Sequence, residues 1–163
     1  RVENLMETIY TFGPKRMVNE KTGVIRIAYY NVALGAHLKE KSTELQKNIF
    51  CLSNNCKKEF LRAFFDDEGC MDFRLKKKRV RGYQKNVHIL QIVQKILESF
   101  GIQSRIVKPN EIVISGKTNL VLFQKQINFS QGVRVNGNRS NSIWKQSIEK
   151  REILERAIAS FQS

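Results

Sequence analysis

Residues 60–69 read Phe60-Leu61-Arg62-Ala63-Phe64-Phe65-Asp66-Asp67-Glu68-Gly69, an apolar helical turn and a half that stops in three carboxylates and a glycine. A helix packing through Leu61, Ala63, Phe64 and Phe65 would deliver its acids at the C-terminal end, where the macrodipole disfavours negative charge. Acids so placed need a cation. Downstream, Arg74 to Lys85 carries seven basic residues among twelve. The stretch therefore reads as acids that hold a metal beside a surface built for phosphate. A solvated helix end closed by a glycine cap is the plainer reading of the same residues.

Composition supports the first reading. The chain has 163 residues, and its 29 bases against 15 acids give a formal charge of +14. A surplus this large in a folded domain points to a polyanion, most often nucleic acid. With 41% hydrophobic residues the chain can build one respectable core or two small ones, which excludes a disordered tail. Cys51, Cys56 and Cys70 have no paired spacing and only His37 and His88 to join them, so neither a disulfide framework nor a zinc quartet is expected. No apolar run approaches membrane-spanning length and no basic-then-apolar leader is visible, so the expectation is a cytoplasmic protein with no membrane partner.

Periodicity organises the rest. Met71 to Tyr83 alternates, with Phe73 and Leu75 on one side and Asp72, Arg74, Lys76 and Lys78 on the other, and turns into a second strand near Val80 to Lys85. Val87, Leu90, Val93, Ile96, Leu97 and Phe100 predict an amphipathic helix ended by Gly101. Arg105 to Lys108 and Glu111 to Ser115 flank Pro109-Asn110 as a hairpin. A helix is expected from Thr118 to about Ile127. After the polar loop Asn136 to Asn141 comes a last helix from about Ile143 to Phe161, anchored by Trp144. A weak internal repeat relates Leu5–Gly13 to Val93–Gly101 at an offset of 88 residues. Residues 1–50 thus read as helix, hairpin, helix, the back half of a preceding repeat. Residues 51–163 read as a complete repeat with a C-terminal helix.

The block from Leu61 to Gly69 resembles the motif that names the LAGLIDADG homing endonucleases. Glu68 falls on its eighth position, the metal-binding carboxylate, and Gly69 on its ninth. Ala63 takes the third position, where paired helices approach most closely, while Arg62 departs from the small residue usual at position two. The resemblance implies an α+β fold, an αββαββα repeat whose antiparallel strands form a saddle. It implies a second such repeat, from a missing N-terminal half or a homodimer partner, whose helix would meet this one through Leu61, Ala63 and Phe64. The opening at Arg1 instead of a methionine is in keeping with a processed or truncated product.

The same resemblance assigns roles. Glu68 is a catalytic metal ligand, Asp67 lends its carbonyl and either adds a ligand or faces solvent, and Asp66 supports the helix end. The ion would be Mg²⁺ or Mn²⁺. Gln84 answers to the residue that orders water, and Lys41 or Arg134 to the basic catalytic residue, with Lys39 close to Lys41. Asp72, Arg74, Lys76, Lys78, Arg81 and Tyr83, extended by Arg105 and Lys108, would face double-stranded DNA. His88 is expected to pack. The function implied is site-specific double-strand cleavage from an intron or intein context. A LAGLIDADG relative that binds without cutting, as an RNA-splicing maturase or DNA-binding regulator, is the alternative. A basic α/β nucleic-acid-binding module with a fortuitous motif is the third.

Overall fold

The computed structural model describes residues 2–20, 24–74, 77–107, 109–135, 144 and 146–161. It divides into two compact units, Arg1–Leu45 and Gln46–Ser163.

Unit 1 opens with α1 (Val2–Tyr10), continues through an antiparallel hairpin of β1 (Lys15–Asn19) and β2 (Val24–Ala28), and enters α2 (Val32–Asn48), which runs across the division. Among its described residues only Met6 is buried. Arg16 is paired with Glu3 at 2.5 Å, and the Tyr10 ring meets His37 edge-on.

Unit 2 carries the core. A 3-10 turn at Ile49–Cys51 precedes α3 (Asn54–Glu68), whose start is capped by the Ser53 hydroxyl accepting from the Cys56 amide. Then follow β3 (Gly69–Arg74), β4 (Lys77–Tyr83), α4 (Val87–Ser99), β5 (Arg105–Val107), β6 (Glu111–Ser115), α5 (Lys117–Gln126) and α6 (Lys150–Ala159). The order is αββαββα with one helix added. The strands form an open antiparallel sheet in the order β3-β4-β6-β5, which is the α+β architecture expected from the sequence.

Leu61 and Phe65 of α3, Leu90, Val93, Ile96 and Leu97 of α4, Leu120 and Phe123 of α5, and Ile153, Leu154 and Ala157 of α6 are fully buried in one cluster with Val80, Ile112 and Ile114 of the sheet. Phe64, Phe65, Phe123 and Phe129 meet edge to face in succession, at centroid distances of 5.0–5.5 Å. Two glycines permit this closeness. A Cβ at Gly82 would lie 2.5 Å from the Phe64 ring, and one at Gly69 would lie 2.3 Å from the Phe65 carbonyl oxygen. Helix α3 therefore rests directly on β4 and passes into β3 with no intervening residue.

Three expectations are corrected. The β3–β4 register pairs Arg74 with Lys77 and Phe73 with Lys78, so the hairpin turns earlier than the alternation suggested and Lys78 belongs to the second strand. Since side chains alternate with a period of two, that shift sends Lys78 to the face of Phe73 and Val80. The last helix starts at Lys150 instead of Ile143, because the preceding residues extend to meet residues 133–135: Val135 donates to the Ile148 carbonyl, and Lys150 to that of Val133. The imidazole of His88 does not pack but is exposed, its backbone amide donating to the Asn86 side chain that caps α4. The loop at 136–141 lies outside the described residues. Trp144 does pack near the core, 6.1 Å from the Phe73 ring and under the Arg156 guanidinium.

Candidate functional site

The C-terminal end of α3 is where the acids gather, and a cation meets them there. Lys150, the first residue of α6, is 8% exposed, and its ammonium donates to the carbonyls of Asp66 and Gly69 at 2.6 Å each and of Phe65 at 3.4 Å. The Phe65 carbonyl also accepts from the Gly69 amide, whereas that of Asp66 is an acceptor the helix leaves open, and a buried ammonium satisfies it and complements the dipole of the helix end. Burial pushes the Lys150 pKa below the ordinary lysine value, against the opposing pull of Asp66, Cys70, Asp67 and Glu68.

The three acids then part ways. Asp66 is buried and its Oδ1 accepts from the Ser130 amide at 2.9 Å, so it ties α3 to the segment after α5. Asp67 and Glu68 are exposed. Arg62 turns away from the acids: its Nε donates to the Ile127 carbonyl at the end of α5, and its Nη1 pairs with Glu59. Leu61 and Phe64 are buried in the core of unit 2, whereas Ala63 is half-buried.

Strand pairing brings the end of β4 to the end of α3, since Gly69 faces Gly82. Gln84 follows β4 there. Its Oε1 accepts from the Asn86 backbone amide, and its backbone N–H donates to the Asn110 carbonyl. Arg134 is bridged to Glu149 and its guanidinium reaches the Glu149 carboxylate at 3.6 Å and the Ser147 carbonyl, one turn of chain from Lys150. Lys41 lies in unit 1, paired with Glu44 at 2.8 Å. Sequence reasoning overlooked Lys150. The signal was present: Lys150, Ile153, Leu154 and Ala157 occupy the i, i+3, i+4 and i+7 positions of one helix face, and a lysine on an apolar stripe needs buried acceptors.

The helices cover one face of the sheet. The other face carries Cys70, Asp72 and Arg74 of β3; Lys77, Arg79, Arg81 and Tyr83 of β4; Glu111, Val113 and Ser115 of β6; and Arg105 of β5, as the registers dictate. Asp72 organises it, with Arg79 at 3.0 Å, Arg74 at 3.5 Å and Arg81 at 3.9 Å. Arg81 also reaches Glu111 at 3.0 Å. Burial opposes the Arg81 charge, but Cys70, Glu111 and Asp72 outweigh it and raise its pKa. The Tyr83 hydroxyl accepts weakly from Asn110 at 3.5 Å. Of the residues expected to share this face, Asp72, Arg74, Arg81, Tyr83 and Arg105 do. Lys78 is on the covered face, with its ammonium at the Ser160 carbonyl and 4.4 Å from the Phe161 ring centroid. Lys77 and Arg79 stand on the open face in its stead. Lys76 and Lys108 lie outside the described residues.

Whether the residues present suit a divalent ion can be judged from the donors. Among the described residues no three acidic, histidine or cysteine side chains converge on one point. Glu68 and Asp67 offer exposed carboxylates on consecutive residues at the end of α3, while the Asp66 and Gly69 carbonyls are engaged by Lys150. Two carboxylates do not by themselves complete a divalent-ion site.

No helix among the described residues is long and apolar enough to cross a membrane. No curated protein sequence matches the chain. A solved structure from work on the structures and dynamics of mesophilic variants of the homing endonuclease I-DmoI superposes with a TM-score of 0.55 at 19% identity. The overlap covers 78% of this chain and 65% of that one, so the chain spans a little under two thirds of that neighbour's length, and the likeness is one of fold. Residues 55–128, from the first turn of α3 to just past α5, match the family model described as a LAGLIDADG-like domain. Through this segment, which holds the acid-tipped helix and the whole four-stranded sheet, the chain is similar to a LAGLIDADG-like domain.

Proposed function

We propose that the protein is a site-specific double-strand DNA endonuclease of the homing type, associated with an intron or intein, that hydrolyses phosphodiesters with a divalent metal. The observation that carries this reading is the exposed Glu68 carboxylate at the tip of α3, at the rim of an open sheet face bearing Arg74, Lys77, Arg79, Arg81 and Arg105. A face of alternating cationic and polar side chains can hold phosphates and read base edges together.

Mg²⁺ or Mn²⁺, when bound by Glu68 with Asp67 beside it, would activate water and stabilise the charge that develops on the phosphoryl oxygens. The rest falls to the chain. Lys150 and Asp66 hold the end of α3 rigid, so that Glu68 keeps one position. Gln84, at the end of β4, orients water, and a basic residue, Arg134 or Lys41, faces the phosphate. One carboxylate cannot complete such a site. The partner acid comes from a second LAGLIDADG helix, on further residues of the same polypeptide or on another copy, which would approach α3 at Ala63. Residues 1–50, with the helix–hairpin–helix order of α4 to α5, serve as the back half of the repeat preceding residues 51–163.

The Lys150 ammonium among the helix-end carbonyls favours a second reading, binding without cleavage as an RNA-splicing maturase or DNA-binding regulator, because a cation already satisfies that end. Cleavage of a selected duplex in Mg²⁺, lost in EDTA and lost in Glu68→Gln with binding retained, is the expected result. Binding with no cleavage in any divalent metal would establish the second reading.

A further inference from the structure

At the far end of the sheet from Glu68 lies an open pocket of about 490 Å³, where the start of β4 meets the end of β6 and the start of β5. Lys77, Arg79 and Arg105 line it from the open face, Lys78 and Phe161 from the helix-covered side, and Ser115 and Gly116 from the passage between β6 and α5. No carboxylate is among its described lining residues. Arg79 shares its charge with Asp72 and Lys78 with the Ser160 carbonyl, but neither Lys77 nor Arg105 has an ion-pair partner among the described residues, and both are exposed. Gly116 adopts a φ of 88°, in the left-handed region, which turns β6 straight into α5. The ten-residue helix that starts there has no side-chain cap, so its positive dipole end adds to the four cations.

The chemistry selects an anion, and the size selects its class. Pockets of roughly 300–1,000 Å³ take ligands much larger than a bare phosphate ion. Phe161 gives an apolar wall suited to a sugar. A phosphodiester with its flanking sugars fits this combination, and a DNA strand is its natural source because Arg79 and Arg105 belong to the cationic face already assigned to duplex. Along β4, Gly82 beside the acids and Lys77 in the pocket are five residues apart. At a strand rise near 3.4 Å the separation is about 17 Å. That is about five nucleotides of B-form DNA at 3.4 Å each.

We propose that this pocket grips one backbone phosphodiester of duplex DNA about five nucleotides from the bond facing Glu68, fixing how far the protein's footprint extends. The inference rests on the DNA reading above.

Two measurements test it. Salt dependence of binding to a random-sequence 30-base-pair duplex should lose about one unit of slope in each of Lys77→Ala and Arg105→Ala, against no change in Lys125→Ala, an exposed lysine at the end of α5. On a duplex selected from a randomised library, ethylation of the phosphate about five nucleotides from the cut should block wild-type binding and lose that effect in Arg105→Ala. Wild-type slopes in both variants, or an interference pattern insensitive to Arg105, would overturn the pocket assignment alone. Failure of the wild type to bind duplex DNA would overturn the DNA reading and the pocket with it. Displacement by millimolar adenosine monophosphate of a small anion from the pocket, with duplex affinity untouched, would show a free nucleotide site instead.

Discussion

The two faces of the four-stranded sheet are written in alternate residues of the same strands, and they obey opposite rules. On the covered face Met71, Val80, Ile112 and Ile114 are buried, and even its charged member, Lys78, spends its ammonium on the Ser160 carbonyl and the Phe161 ring. On the open face, Asp72 and Glu111 are few against Arg74, Lys77, Arg79, Arg81 and Arg105, so cationic charge is left over. The covered face supplies folding energy through apolar area. The open face gives little to stability, because ion pairs near solvent contribute about 0–1 kcal/mol. Its excess charge costs self-repulsion, which a bound polyanion would offset.

The comparison is sharpest at the border, where α3 passes into β3. Glu68→Gln removes a carboxylate without touching the covered face. Cleavage of a selected duplex should fall by about 10²–10³-fold, as losses of transition-state electrostatics do, while affinity measured by gel shift and the melting temperature stay near wild type. An unchanged cleavage rate would detach the acid from the chemistry.

Lys150→Met tests the same border from beneath. It leaves the carbonyls of Asp66 and Gly69 without their donor, at about 1–3 kcal/mol for each buried acceptor, and urea denaturation should record the sum. The pH response has a definite sign. Folding lowers the Lys150 pKa, so the native state releases the proton before the unfolded chain does, and stability rises with pH between the native value and the usual 10.5. The advantage of wild type over Lys150→Met should therefore widen from pH 7 towards pH 10. A narrowing would contradict the desolvation that sets the shift.

Gly82→Ala would place a methyl group 2.5 Å from the Phe64 ring and 3.2 Å from Ile112, and should cost about 1–3 kcal/mol by overpacking. Thermal melting with no change in salt dependence would mark it as a covered-face effect. Arg74→Ala should do the reverse. Its side chain is 59% exposed, so stability should move by less than about 0.5 kcal/mol. Duplex affinity should weaken by about 1–3 kcal/mol with relaxed preference at one base pair if Arg74 reads a base. A uniform loss across sequences would make it a phosphate contact.

Much of this was legible in the residues. The end of the acid-tipped helix, the hairpin around Pro109-Asn110 and the α4 stripe emerged at nearly their observed bounds, because hydrophobic periodicity and turn chemistry are local signals. The errors were non-local. Lys78 was assigned to the wrong face because alternation continues through a hairpin turn unless the turn is placed, and only pairing with Phe73 places it. The final helix was read too long because nothing near Ile143 says that Ile148 will bond to Val135. Lys150 was passed over because its acceptors are 81 to 85 residues away in sequence.

The amino-acid order alone determined that a helix would end in Asp66, Asp67, Glu68 and Gly69, that strands rich in arginine and lysine would follow, and that the chain would carry a surplus of +14. These are properties of neighbouring residues and of summed charge. Tertiary structure decided which acid is buried and which is left open, which cation closes the helix, and which lysines share a face. Those outcomes depend on distances between residues far apart in the chain, and only strand register and helix packing set them.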